Sequence, residues 1–382
     1  MEQKEAKKTI RVFALASFLN DFGSDIIYPV WPMFVTSVLG ANMAVLGLLD
    51  GLGEALVSIS QAVSGYVSDR VRKRKVFIWS GYLCGALSRV GYGLSTVWQH
   101  LIPFRILDRA GKIRSAPRDA IIADISTVDN RGRYFGLLRA MDHLGAVCGI
   151  TVCILFFRVL GYKALFLLAA IPSLIGVSLI LFLIREQKTE SKIYKGISIS
   201  SLNKNYTLFV LLSSLFSLAS FSYSFLLIYA RKQGFQTAFV PVLYLVFTVF
   251  AAIFSLPFGK LADRVGRKPV LMVSYILWGL VVLSLIFFKG GYLAIALPFV
   301  LYGLHKAALE PAQKAFVSEL IPKESRASAL GGFQMAIGLC GLPASLAAGL
   351  LWDKIGMQAP FYFSLGLTVL AIGMLLFVKE TV

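Results

Sequence analysis

The chain repeats one short charged motif, as GYVSDRVRKRKV at residues 65–76 and as GKLADRVGRKPV at residues 259–270. The matching Gly, Asp, Arg and Val residues keep a constant offset of 194, and Pro117 matches Pro311 at the same offset. One register held over roughly fifty residues indicates an internal duplication. We therefore expect two homologous halves that form parallel repeats related by a pseudo-twofold axis.

The composition of the whole chain indicates a membrane protein. Of its 382 residues, 57% are hydrophobic and 15% are charged, whereas soluble domains are about 45–50% apolar and about 25% charged. Apolar runs long enough to cross a bilayer recur throughout. Because backbone polar groups in lipid must bond internally, we predict that these runs are helices and that the protein is an all-α integral membrane protein.

The apolar runs define twelve predicted transmembrane helices in two bundles of six. The N-terminal bundle covers residues 1–184, a polar cytoplasmic linker covers 185–205, and the C-terminal bundle covers 206–382. The predicted spans are 12–38, 43–68, 76–94, 98–122, 134–157, 164–184, 207–230, 237–262, 270–288, 291–318, 327–351 and 358–378.

The positive charge of the chain is distributed unevenly across these spans. The chain has 38 Lys and Arg against 20 Asp and Glu, a formal net charge of +18. Most basic loops and both tails fall on one predicted side, which the positive-inside rule assigns to the cytoplasm. We therefore expect a multi-pass protein of the cell inner membrane with cytoplasmic termini. Basic loops also attract anionic lipid headgroups, so we expect membrane lipids, and no nucleic acid, as partners.

The repeated motif resembles the loop signature G-x-x-x-D-R-x-G-R-R/K of the major facilitator superfamily. The second copy has nearly the full pattern, whereas the first has Arg72 where the family usually has Gly. The resemblance implies a transporter with two six-helix bundles, in which the motif is a latch on the cytoplasmic side. The alternative is a basic loop that only orients membrane insertion. The predicted gating residues are Gly65, Asp69, Arg70, Arg74, Arg118, Gly259, Asp263, Arg264 and Arg267.

The fourth predicted span, HLIPFRILDRAGKIRSAPRDAII at 100–122, carries an unusual number of charges. Arg105, Arg109 and Lys112 follow at helical spacing, so they share one face, to which Asp119 returns if the helix is straight. Charge at membrane depth is costly and marks function, and Arg recognises carboxylates in a bidentate manner. We expect these three residues to bind an anionic substrate. The alternative for Arg114, Arg118 and Asp119 is pairing with Asp69 or with lipid.

Other polar residues within the spans are candidates for the same site. Asp21 and Asp25 lie one turn apart in the first span, and Glu54 is deeper than Asp50 in the second. A carboxylate at membrane depth is expected to be protonated or paired, so these acids are candidate proton carriers or members of a neutralising lattice. His305 and Glu310 are further candidates for proton coupling, and His305 is alternatively a core residue. Predicted polar contacts to the substrate come from Asn20, Tyr28, Tyr223 and Gln334.

These features predict a secondary active transporter that works as a monomer by alternating access. We expect symport of protons with a small anion, either an organic acid or a carboxylate-rich siderophore. The first alternative is a proton-antiport exporter of drugs or metabolites, although Gly145 is followed by Ala146 where such exporters have Gly-Pro. The second alternative is a membrane sensor that does not transport. The sequence has no phosphate-binding loop and no catalytic or metal-binding motif, so we expect no enzymatic activity and no cofactor.

Overall fold

The computed structural model describes residues 2–71, 73–126, 131–186, 204–287, 291–320 and 326–380, which are helical and contain no strands. Short 3-10 turns lie at Trp98–His100, Gly111–Arg114 and Thr237–Phe239, and a π-helical turn at Phe34–Val38. The helices are α1 (Glu2–Ile27), α2 (Trp31–Met33), α3 (Met43–Val71), α4 (Lys75–Leu94), α5 (Leu101–Ala110), α6 (Ser115–Asp124), α7 (Arg131–Leu183), α8 (Lys204–Ala219), α9 (Tyr223–Lys232), α10 (Val240–Val265), α11 (Arg267–Phe287), α12 (Tyr292–Leu320), α13 (Arg326–Lys354) and α14 (Ala359–Phe377).

The helices have the length and surface that a bilayer requires. Seven stretches of the described residues are long and apolar enough to cross a membrane, and one of them, Tyr134–Leu183, has 50 residues. Large apolar side chains also lie on the outside of the helices: Val159 is 81% exposed and Phe182 is 84% exposed. A water-soluble protein rarely exposes such continuous apolar surface, so lipid is the solvent that suits it.

Most of the predicted spans coincide with a single helix. Three predicted spans are interrupted by a short break. The first is broken at residues 28–30, the fourth at Gly111–Arg114 and the seventh at residues 220–222. Two predicted spans, 134–157 and 164–184, lie within α7, where Gly161 has φ 66° and separates two successive helices. A positive φ is readily adopted only by glycine, so Gly161 is the residue that permits this turn.

Packing divides the chain into two compact units. The first contains residues 1–40 and 56–194, and the second contains residues 41–55 and 195–382. The first part of α3 thus packs within the second unit. The predicted boundary at 185–205 remains a prediction, because residues 187–203 lie outside the described part of the chain.

Apolar contacts and close backbone packing hold the first unit together. Its core joins α1, α4, α6 and α7 through buried side chains that include Phe13, Tyr82 and Ile180. Gly145 and Gly149 of α7 lie against the backbone carbonyls of α1, where a Cβ atom would be well inside van der Waals contact. Small residues four apart allow two membrane helices to approach in this way.

Candidate functional site

The interruptions of the first and fourth spans place polar side chains next to each other in the first unit. The α1 helix ends at Ile27, and a turn at 28–30 precedes Trp31 of α2. In the fourth span, α5 ends at Ala110 and a 3-10 turn contains Lys112. The condition under which Asp119 would return to the face of Arg105, a straight helix, is therefore not met, because the 3-10 turn changes the rotation per residue.

Two arginines of α5 share one buried carboxylate. The Arg109 Nε lies 3.5 Å from Asp108 Oδ2, and an Arg105 Nη1 lies 3.9 Å from the same oxygen. Ser88 of α4 donates to the other oxygen of Asp108 at 3.5 Å. Arg105 is 3% exposed and Asp108 is 9% exposed. The structure thus brings together Arg105 and Arg109, as the sequence predicts, and adds Asp108 between them.

Aromatic rings from the break in the first span cover the two guanidinium groups. Arg105 lies over the ring of Trp31 at 4.8 Å, and Arg109 lies over the ring of Tyr28 at 5.2 Å. Trp31 in turn contacts the ring of Tyr92 at 4.9 Å between centroids. An aromatic face stabilises a cation without neutralising it, by about 2 kcal/mol when the pair is desolvated. The rings therefore hold the arginines while their positive charge persists.

The electrostatic surroundings of Asp108 are dominated by positive charge. Its interacting cations are Arg109, Arg105, Arg89 and Lys112. Four cations around one carboxylate leave an excess of positive charge at membrane depth, where an ion is stable only if it is paired or hydrated. A planar carboxylate or a phosphate would match this excess and the geometry of the arginines.

A third arginine, Arg89 of α4, is buried beside this cluster. Its guanidinium donates to the Asn20 carbonyl at 3.0 Å, the Asn20 Oδ1 at 3.2 Å and the Ser24 Oγ at 2.8 Å. It also donates to the Ser173 Oγ and, at 3.3 Å, to the Ala169 carbonyl of α7. Arg89 therefore ties α1 and α7 to α4 through neutral oxygen atoms.

The acids of α1 adjoin the Arg89 cluster. Because the Oδ1 of Asn20 accepts from Arg89, its amide is free to donate to Asp21, which it does at 2.9 Å. Asp25, one turn further, is 9% exposed. Asn20 contacts Arg89 directly and Asp21 interacts with it electrostatically, and proton carriage by Asp21 and Asp25 remains a prediction.

The sequence-based assignments within α3 and α12 are only partly matched by the structure of the second unit. Glu54 was expected to be the deeper acid of α3, but its side chain is exposed, whereas Asp50 is 4% exposed. Exposure depends on which side of the helix meets its neighbours, so the depth of Glu54 in the membrane and its role in proton coupling remain predictions. Glu310 of α12 is also exposed, and both Glu54 and Glu310 interact electrostatically with Lys306.

His305 is enclosed in an aromatic cluster of the second unit. It is 0% exposed and packs against the rings of Phe216, Trp278 and Tyr302 at 5.5–6.1 Å. Its Nδ1 lies 2.9 Å from both the Ser274 Oγ and the Ser274 carbonyl. The role of His305, as a core residue or in proton coupling, remains a prediction.

The remaining two predicted binding residues, Tyr223 and Gln334, belong to the second unit. Tyr223 opens α9 and contacts the rings of Tyr244 and Phe247 at 5.2 and 5.9 Å. Gln334 is half-buried on α13. Their contact with a substrate remains a prediction.

The first copy of the motif contacts the end of α7 and the end of α6. The Glu186 carboxylate accepts from the backbone amides of Arg74 and Lys75 at 2.7 and 3.2 Å, so it caps the N-terminus of α4. The Arg74 guanidinium pairs with Asp124 at 2.5 Å. Arg72 and the side chain of Asp69 lie outside the described part of the chain, so the predicted role of Asp69 has no structural counterpart here.

The second copy repeats this arrangement. Glu380 accepts from the backbone amides of Arg267 and Lys268 at the start of α11. The Arg267 side chain pairs with Asp263 at 2.8 Å and with Glu319 of α12 at 2.9 Å. In both copies an acid neutralises the positive helix end, and an arginine joins two helices.

Other predicted gating residues make weaker contacts. Arg70 and Arg264 have exposed side chains. A Cβ atom at Gly65 or Gly259 would meet its neighbour at 3.5 or 3.9 Å, an ordinary contact. Neither glycine lies at an unusually close helix contact in this structure, and their gating role remains a prediction.

Arg118 has local partners in the first unit. It pairs with Asp119 at 3.0 Å and donates to the Ser17 Oγ of α1 at 2.6 Å. Arg114, in contrast, donates to the Gly111 carbonyl and lies over the ring of Tyr82 at 4.9 Å. Arg118 thus joins the fourth span to the first, and its gating role remains a prediction.

Arg89 and Trp31 are not among the functional candidates predicted from the sequence, and Asp50 is ranked there below Glu54. Arg89 carried a usable signal, since it is an isolated charge in the middle of the third predicted span. Trp31 becomes a partner of Arg105 only because the helix is interrupted before it, which the apolar pattern does not reveal. Asp50 is ranked from the sequence only by its expected depth in the membrane, which does not indicate whether its side chain is buried.

Comparisons with known proteins give one consistent result. The family model described as Major Facilitator Superfamily matches residues 13–245 and 207–382. An uncharacterized MFS-type transporter of Methanocaldococcus jannaschii is 39% identical, over 98% of this chain and 96% of its own length. Multidrug resistance protein 2 of Bacillus subtilis is 23% identical, over 98% and 96%. A crystal structure of nucleoside transporter NupG has a TM-score of 0.80 with 17% identity, covering 98% of this chain and 100% of that one.

Proposed function

The chain belongs to the major facilitator superfamily and is a multi-pass membrane transporter, not an enzyme, and we propose that its substrate is a small anion carried by alternating access with protons. The all-α transporter fold predicted from the sequence is thereby confirmed. The substrate, the coupled proton and the inner-membrane location are proposals.

The single observation that carries the anion proposal is the cluster around Asp108. Arg105 and Arg109 share this carboxylate, and Arg89 and Lys112 add further positive charge. A substrate carboxylate would supply the second negative group that the two arginines of α5 can each bind. The rings of Tyr28 and Trp31 keep the guanidinium groups in place before the anion arrives, which lowers the ordering cost of binding.

Proton coupling is supported by the acids of α1. Asp21 accepts a hydrogen bond from Asn20, and Asp25 is buried one turn away. Protonation of either acid adds positive charge beside the arginines, so it favours binding of an anion by simple electrostatics. We propose that uptake of the anion and of the proton are linked in this way, with an organic acid as the substrate and a carboxylate-rich siderophore as a larger variant.

The experiment uses proteoliposomes that enclose a pH-sensitive dye. Addition of citrate or succinate should acidify the lumen with the wild type, whereas uridine and ethidium should not. The Arg105→Gln, Arg109→Gln double variant should lose the signal at least tenfold. The matched control is Arg185→Gln with Lys8→Gln, which removes two exposed positive charges. An unchanged signal in the Arg105 and Arg109 variant would reject the anion proposal.

A second candidate function is proton-driven export of drugs or metabolites. Relatives named as multidrug resistance proteins support it: one from Bacillus subtilis, and the efflux pump PmrA of Streptococcus pneumoniae, which is 25% identical over 93% of this chain. Ethidium-dependent proton movement in the same liposomes, with no response to citrate or succinate, would favour this candidate.

A further inference from the structure

Asp50 is a buried carboxylate that is not part of the proposed anion site. It lies in the first part of α3, which packs within the second unit, and it is 4% exposed. Burial of a carboxylate at membrane depth is costly unless hydrogen bonds or protonation stabilise it. Asp50 therefore has either a structural or a titrating role.

Two serine hydroxyl groups of the second unit contact one oxygen of Asp50. Ser222 donates to Oδ2 at 2.7 Å, and Ser224 donates to the same oxygen at 2.5 Å. Ser222 is also the N-cap of α9, because its Oγ accepts from the Ser224 amide at 3.2 Å. The carboxylate thus fastens α3 to the first turn of α9, just after the interruption at 220–222.

The strength of this contact depends on the charge of Asp50. Hydrogen bonds from hydroxyl groups to an ionised carboxylate are roughly twice as strong as neutral ones. When a proton from water adds to the carboxylate, the carboxyl group keeps one O–H and loses its negative charge, so the contact between α3 and α9 weakens.

The first part of α3 is also packed closely against α13. Gly47 and Gly51 of α3 lie against α13, where a Cβ atom would clash with the Ser345 carbonyl and the Leu342 backbone. At the start of α3, Asp353 accepts from the amides of Met43 and Ala44 at 3.1 and 2.8 Å. Surfaces packed this closely separate as a unit and do not deform gradually.

The other charged groups on the packed elements do not replace Asp50. Glu54 lies one turn along α3, is exposed, and interacts electrostatically with Lys306 of α12. Asp353 of α13 is occupied by the N-terminus of α3. Asp50 is the acid whose hydrogen bonds with Ser222 and Ser224 join α3 to α9.

We propose that Asp50 is a proton-accepting residue of the transport cycle, and that its protonation releases α3 from α9 through Ser222 and Ser224. The proposal rests on the chain being a transporter, but it does not require an anionic substrate. A negative result in the citrate and succinate assay would therefore not contradict the proposal for Asp50. A negative result in the test of Asp50 would likewise not contradict the proposed anion site.

The test is hydrogen–deuterium exchange of the full-length protein in nanodiscs, without any substrate. At neutral pH, Asp50→Asn should raise exchange in segments 43–55 and 222–230 several-fold, because Asn imitates the protonated acid. Glu5→Gln, which removes an exposed negative charge, should not. Exchange in residues 75–94 of the first unit should stay unchanged in both. Wild-type exchange rates at neutral pH in Asp50→Asn would overturn the proposal.

Two further measurements test the proposal if the Asp50→Asn variant fails to fold. The Ser222→Ala, Ser224→Ala double variant keeps the carboxylate but removes its donors, and it should raise exchange in the same two segments. The wild type should show the same rise between neutral and acidic pH, after correction for the intrinsic pH dependence of exchange. If the corrected exchange of these two segments in the wild type does not change with pH, the proposal is overturned.

Discussion

Glu186 and Glu380 make the same contact in the two halves of the chain. Each accepts a hydrogen bond from a backbone amide at the start of a helix, from Arg74 just before α4 and from Lys268 in α11. Their separation is the same offset of 194 that relates Gly65 to Gly259. The duplication therefore extends from the motif to the last residues of each six-helix segment.

Loss of either acid should destabilise the helix that it caps. We expect Glu186→Ala and Glu380→Ala each to lower the melting temperature of the detergent-solubilised protein by a few degrees, because a lost cap costs about 1 kcal/mol. The measurement is intrinsic-fluorescence melting. Glu5→Ala is the control, since Glu5 is 74% exposed and only pairs with Arg185 at 4.0 Å. A variant that melts like the wild type would contradict the capping role.

Arg89 should be essential to the first unit. Arg89→Met would leave the oxygen atoms of Asn20, Ser24 and Ser173 without their donor, and each unsatisfied buried group costs about 1–3 kcal/mol. We expect a large loss of folded yield in size-exclusion chromatography. Arg89→Lys should recover the folded yield only in part. The planar guanidinium group of Arg reaches acceptors on two helices at once, whereas the compact ammonium group of Lys does not. Full recovery with Lys would show that charge alone is needed.

The contact between α1 and α7 can be tested with one methyl group. Gly149→Ala should lower the melting temperature by several degrees, because its Cβ would overlap the Phe22 carbonyl. Gly136→Ala in the same helix is the matched control, since nothing lies within 4 Å of its Cβ. There the better helix propensity of Ala should raise stability slightly. Equal effects at Gly136 and Gly149 would contradict the close approach.

Much of the fold could be predicted because it depends on local signals. The apolar runs give the spans, and the offset between the two motif copies gives the duplication. The interruptions at 28–30 and 220–222 could not be predicted, because the apolar pattern continues across them. The first contains Pro29, but proline is also tolerated within membrane helices, so it does not specify a break.

The candidate site was only partly predictable for a related reason. Arg105 and Arg109 were found because charges within a predicted membrane span are conspicuous. The partners Trp31 and Ser88 come from other helices, and ordinary aromatic or small residues give no signal of their role. Burial of Asp50 against exposure of Glu54 depends on which side of α3 meets its neighbours, and this is set by tertiary packing.

Removal of Asp108 should make the site more dependent on an external anion. Asp108→Asn leaves Arg105 and Arg109 without their shared carboxylate, so the protein should melt at a lower temperature than the wild type. Citrate should raise the melting temperature of this variant by more than it raises that of the wild type, because its carboxylate supplies the negative charge that the substitution removes. Equal shifts in both proteins would contradict the assignment of Asp108 to the anion site.

The most direct test of anion recognition is the melting temperature of the purified wild type with citrate, succinate, inorganic phosphate, uridine or ethidium. A ligand that binds only the folded state raises this temperature with its concentration. At least one of the three anions should do so in the wild type and in Arg185→Gln, Lys8→Gln, but not in Arg105→Gln, Arg109→Gln. Stabilisation by uridine or ethidium alone, or by an anion equally in the Arg105 and Arg109 variant, would contradict the account.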